Sequence, residues 1–193
     1  MPENWHEVTL LHLINLEAWR GKETDPVGLL SCFLDIDPEL LANQKRRYWN
    51  ELLTVLSFVF SPPKWQGLKM KDRIKIGDKT IKVPKRLELE TWGQAVAAMM
   101  EASKCENEAD YIKAVPELLT IYFQPLYDGK FSRHRLEYVK GLIMQMPAIE
   151  AVPVGFFFFK KLMKSQIYGM IGLTRSRLIL KKIFFLIQQG GQS

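Results

Sequence analysis

Residues 73–83 read RIKIGDKTIKV, and the fold turns on them. Ile74, Ile76, Ile81 and Val83 alternate with Lys75, Lys79 and Lys82 across Gly77-Asp78. A period of two interrupted by a Gly-Asp pair is the pattern of a β-hairpin. The alternation sends isoleucine and valine to a buried face and lysine to water, where charge discourages edge pairing. Two strands are marginal alone, so the hairpin must lean on helices or be completed by a partner strand. On both sides of it the apolar residues recur at helical spacing. The expected fold is therefore mainly α: a multi-helix body with one small β-hairpin at about residues 73–83 and a basic C-terminal helical segment.

Towards the N-terminus, Ser61-Pro62-Pro63 closes a long periodic stretch that starts at Asp37-Pro38-Glu39. Within it Leu41, Tyr48, Trp49, Leu52, Val55, Leu56 and Val59 are expected on one side of a single helix, with Arg46, Arg47, Asn50 and Glu51 opposite. Asp25-Pro26 supplies a cap and a first-turn proline for a short helix through Phe33. Val8 to Arg20 is apolar on most sides, which places it centrally in the core, and Gly21 is placed to end it.

Towards the C-terminus, Thr91 and Gln94 fit a capping box before the helix Ala95 to Ser103. Asn107, Glu108 and Asp110 start another, since acids favour the positive end of the helix dipole. Pro116 and Pro125 are expected to bracket a short aromatic segment, ELLTIYFQ, with a turn at Asp128-Gly129. Ser132 opens a helix carrying Leu136, Val139, Ile143 and Met146, and Pro147 closes it. Phe156 to Phe159 follow as a contiguous block that would point all round a helix and mostly fill core.

At 193 residues and 47% apolar content the chain can bury a sizeable core. Its charge is unevenly spread. From residue 151 onward there are five lysines, two arginines and no acid, whereas residues 1–150 hold 20 basic against 21 acidic residues. Such asymmetry separates a neutral body, 1–150, from a basic apolar segment, 151–193, whose field attracts acidic protein, nucleic acid or anionic membrane. Lys160, Lys161, Lys164, Arg175, Arg177, Lys181, Lys182, Phe184 and Phe185 are the candidate partner-binding residues. A terminal segment this apolar must dock on its own body or on something else. Protein is the expected partner, ahead of nucleic acid or a membrane surface, because the phenylalanines do not interleave with the cations as a stacking platform requires. A second copy of the chain is a further candidate.

Chemistry finds little support. His6 and His12 do not share a helix face and form no HExxH, and His134 lies between Arg133 and Arg135, a triplet expected to be solvated charge. Cys32 and Cys105 lack any metal-binding or disulfide spacing and read as buried small apolar residues. GxSxG, GxxxxGK[ST] and GxGxxG patterns are missing, and the pairs Asp35/Asp37 and Glu88/Glu90 suit turns and helix starts. The expectation is a non-catalytic protein without metal or cofactor. MPENWHEV has none of the marks of a secretory signal, and the apolar runs are shorter than the ~20 residues that cross a bilayer. The expected location is the cytoplasm.

The stretches LSFVF (56–60), IKIGDKTIKV (74–83), ETWGQ (90–94), PELLTIYFQPLY (116–127) and MPAIEAVPVGFFFF (146–159) occur in an order that resembles the tail assembly chaperones of tailed bacteriophages. The resemblance covers roughly residues 50–160 and lies in layout. It implies a non-catalytic protein that escorts an apolar tape-measure protein in the host cytoplasm until the tail tube polymerises. That family has no catalytic signature, so no functional residue carries over. The basic C-terminal segment is no feature of the family and leaves a rival role: a connector or tail subunit retained in the virion.

Overall fold

The computed structural model describes residues 1–20, 25–34, 36–43, 46–85 and 92–172. They form eight α-helices and one two-stranded antiparallel hairpin. In chain order these are α1 (Leu10–Trp19), α2 (Pro26–Leu34), α3 (Pro38–Ala42), α4 (Arg46–Val55), β1 (Arg73–Ile76), β2 (Lys79–Lys82), α5 (Trp92–Ala102), α6 (Glu108–Asp128), α7 (Leu136–Met144) and α8 (Ala148–Gly172).

Local chemistry accounts for most of the boundaries. Thr9 accepts the His12 amide, and His12 Nδ1 accepts the Thr9 amide in return, so a histidine completes the capping box of α1. Asp25 accepts from Gly28, Asp37 from Glu39 and Asn107 from Asp110, each at a helix N-terminus as expected. Gly129, at φ +82°, ends α6 with its amide on Pro125 O. Two anticipated features, the stop at Gly21 and the cap at Thr91, fall outside the described residues.

Two expectations are corrected. The single helix expected from residue 38 to 60 is instead α3, α4 and a 3-10 segment, Leu56–Phe60. A 3-10 turn takes three residues instead of 3.6, so the apolar face shifts where the winding changes. Leu56 and Val59 are buried accordingly, while Val55, expected among them, is exposed at the junction. The prolines of PELLTIYFQP do not bracket a short segment: both lie inside the 21-residue α6. Proline normally breaks a helix because it removes an amide donor. At Pro125 the loss is made good from elsewhere, since the buried Gln94 of α5 donates its Nε2 to Ile121 O at 2.8 Å, the carbonyl that residue 125 would otherwise serve.

The core centres on α6 and α8, which pack against each other, with α7 and α5 on α6. On one side, α1, α2, the hairpin and α7 close over Val115, Leu119, Tyr122 and Phe123 of α6 and Val152, Val154, Phe156 and Phe158 of α8. On the other, Ala98 and Ala102 of α5 meet Ala114, Leu118, Ile121, Phe159 and Leu162. The phenylalanine block therefore fills core on both sides of α8, with only Phe157 partly exposed. At Gly155 α8 comes close to α6: a Cβ there would lie 2.7 Å from Val115 Cγ2. The N-terminus is tied to the same place. Leu10 N donates to Met146 O at 2.8 Å and Ala148 N to Val8 O at 2.7 Å, pairing Thr9 with Pro147 between α7 and α8.

Candidate interaction surface

Among the expected partner-binding residues, Lys160 and Lys161 are exposed on α8, between the buried Phe159 and Leu162. Lys161 Nζ lies 5.4 Å from the Phe157 ring centroid, one turn back. Lys164 belongs to the continuing helix. Arg175, Arg177, Lys181, Lys182, Phe184 and Phe185 lie outside the described residues. Residue 150, at the expected division between body and basic segment, sits within α8, and apolar residues of 151–159 together with Leu162 share the core with residues of the helices around them.

The hairpin is a second cationic element. Its inward face, Ile74, Ile76 and Ile81, is buried with Val83, as the alternation predicts. Register pairs Arg73 with Lys82, Ile74 with Ile81, Lys75 with Thr80 and Ile76 with Lys79. Arg73, Lys75, Thr80 and Lys82 thus share the outward face, while Lys79 falls on the inward one. Lys79 Nζ accordingly folds back onto α6, donating to Tyr127 O at 2.7 Å and lying 4.3 Å from the Tyr127 ring centroid.

The turn is clamped by ionisable groups that are internally satisfied. Gly77, at φ +58°, takes a conformation that side chains disfavour, and a Cβ there would press on Leu142. Tyr127 donates to Asp78 Oδ1 at 2.8 Å, which pushes the phenol up to about 12 and holds the Asp78 carboxyl below its ordinary range. Next to it Arg135 donates twice to Asp128, at 3.2 and 3.1 Å, lowering that carboxyl, with a Gln124 amide adding to the effect. Gln124, fully buried, also accepts the Ser132 amide and so fixes the path from α6 to α7.

The Tyr127–Asp78 bond makes a titration prediction. A phenol raised above its usual value of about 10 contributes stability in full below that pH and loses it as pH rises through about 12. In tyrosinate absorbance, Tyr127 is expected to ionise late, with Tyr111, raised by burial, also above the ordinary range. Asp78→Asn should bring the Tyr127 titration down, with burial and Tyr138 keeping part of the rise; superimposable titrations of the two proteins would show that the bond does not form in solution.

The Cys32 thiol is pushed up to about 11, first by burial and then by Asp25, which leaves it protonated at neutral pH. Burial first, then Asp110, raises the Cys105 thiol as well. His6 and His134 are exposed and separate, and no metal-binding group of His, Cys, Asp and Glu occurs among the described residues. Glu17, buried in α1, pairs with Arg20 at 3.2 Å. A cavity of about 340 Å³ opens between the hairpin turn and the α7–α8 junction, with Lys75, Gln145 and Glu150 on its walls. No described helix is long and apolar enough to cross a membrane. Comparison with family models, with curated proteins and with solved structures gives no match.

Proposed function

We propose that the chain is a non-catalytic assembly protein of the kind its layout resembles, binding an apolar helical client such as a phage tape-measure protein in the bacterial cytoplasm. The observation that carries this reading is the change of character along α8. Up to Leu162 the helix is packed into both halves of the core; from Lys160 onward come all seven cations of the acid-free segment. Residues 148–162 act as the anchor, and the chain beyond supplies an apolar and cationic contact. Amphipathic segments of this composition lie in grooves or along apolar partners. The clamped ionisable groups at the hairpin turn support the same reading, because their hydrogen bonds are committed to holding the fold.

Truncation ahead of Thr174 tests it. The truncated chain keeps every packed residue of α8 and is expected to melt as the full chain does. Co-expressed with the tape-measure protein encoded beside it, the full chain should keep that client soluble and the truncated chain should not. Equal rescue by both, or no tape-measure gene alongside, would overturn the proposal. Stoichiometric presence of the chain in finished particles would turn it into a retained tail subunit.

A further inference from the structure

We infer that the outward face of the hairpin is a second binding surface, separate from the C-terminal segment, and that its partner is the phosphate backbone of duplex DNA. Residues 64–85 carry eight lysines and arginines and two aspartates; the remaining residues of 1–150 carry twelve basic and nineteen acidic ones. The near-neutral total therefore hides an excess of cations in the segment that carries the hairpin. All eight cations are exposed.

Only part of this charge is used within the fold. Lys71 pairs with Glu150 at 2.5 Å, and Lys79 is turned onto Tyr127. No carboxylate among the described residues lies within ion-pair distance of Arg73, Lys75 or Lys82. Arg73 and Lys82 moreover stand directly opposite each other across the strands. Like charges in that position oppose pairing, so the arrangement works against the hairpin's own stability. The face is nonetheless held rigid, by its buried isoleucines beneath and by the Tyr127–Asp78 clamp at its turn. A fixed cation array loses little freedom when an anion docks on it.

Composition identifies the anion. Protein interfaces are depleted in lysine and rely on aromatic or apolar anchors, and this face has neither. Single-stranded nucleic acid is held by stacking on aromatic rings, which are likewise missing from Arg73, Lys75, Thr80 and Lys82. A duplex offers phosphates with its bases turned inward and asks only for positive charge. The major groove of B-form DNA admits a two-stranded β-ribbon, whereas that of A-form RNA is too deep and narrow. The rest of residues 1–150 carries a net negative charge and adds no attraction for the same polyanion.

Fluorescence anisotropy of the full chain with a labelled mixed-sequence DNA duplex of two helical turns, over a series of salt concentrations, tests the assignment. Combined Arg73→Gln, Lys75→Gln and Lys82→Gln should weaken binding at low salt at least tenfold and flatten the log–log salt slope by about 2.7, at roughly 0.9 per phosphate contact. Its melting temperature should stay level or rise, because the opposed charges are gone. Each single substitution should flatten the slope by about 0.9, which keeps the test open if the combined variant folds poorly. Replacing Lys160, Lys161, Lys164, Lys181 and Lys182 by glutamine is expected to leave the hairpin's share of the slope in place. Absence of salt-dependent binding, loss of the whole slope in this second variant, or affinity unchanged in the hairpin variant would overturn the inference. Binding to polyglutamate but not to the duplex would also overturn it and assign the face to an acidic protein. None of these outcomes depends on the client of the C-terminal segment.

Discussion

Phe158→Ala is expected to destabilise the protein by about 3–5 kcal/mol, the usual cost of truncating a fully buried aromatic ring. Phe158 is 1% exposed, lies 3.8 Å from Tyr122 between ring centroids at 29°, and meets Phe123 at a steeper angle with centroids 5.6 Å apart. Its removal would leave a cavity lined by rings of α6, which are held by their own helix and cannot collapse into it. Against a total stability of about 5–15 kcal/mol for a typical domain this is a large share. The melting temperature should fall by roughly 6–20 °C. Phe157→Ala, on the partly exposed side of the same helix, should cost clearly less. Denaturant midpoints of both variants, with unchanged slopes, provide the measurement. A loss of less than about 1 kcal/mol for Phe158→Ala would mean that α8 is not seated on α6, and the anchor assigned to residues 148–162 would be lost with it.

Gln94→Ala is the second substitution with a large expected effect, about 1–3 kcal/mol, because it strands a buried acceptor. Gln94 is 1% exposed and supplies the donor that Pro125 cannot. The dependence can be tested directly. In a Pro125→Ala background, residue 125 regains an amide aimed at Ile121 O, so the same Gln94→Ala change should cost less. A coupling of more than about 0.5 kcal/mol between the two positions is expected from a double-mutant cycle. Equal costs in both backgrounds would show that the glutamine is held for some reason unrelated to the proline.

That pair also explains where sequence reasoning stopped. The hairpin was legible because alternation over RIKIGDKTIKV is a purely local signal, and the helix starts at Asp25, Asp37 and Asn107 were legible because a cap and the amide that donates to it lie within three residues. The continuity of α6 through Pro116 and Pro125 was not, since the donor that tolerates Pro125 comes from another helix, distant in sequence. The change from α to 3-10 winding after Val55 was hidden for a similar reason: apolar spacing alone does not distinguish 3.6 from three residues per turn over five residues.

The cationic outward face of the hairpin was missed through cancellation. Summed over residues 1–150, its charge disappears into a slightly larger negative excess elsewhere, which leaves the acid-free C-terminal quarter as the visible cationic segment. A running sum over windows of about twenty residues, the length of the segment itself, recovers it. Register does what composition cannot, separating Lys79, which serves the fold, from Arg73, Lys75 and Lys82, which do not.

The short pairing of residues 8–10 with 146–148 has a consequence for biosynthesis. A chain emerging from the ribosome can pack α1 on α2 early, but the rest of its apolar side chains must wait until α6, α7 and the start of α8 have been made. Contacts this remote in sequence slow folding and lengthen the interval in which greasy surface meets water. The nascent polypeptide is thus itself at risk of aggregation until residues 146–148 have emerged.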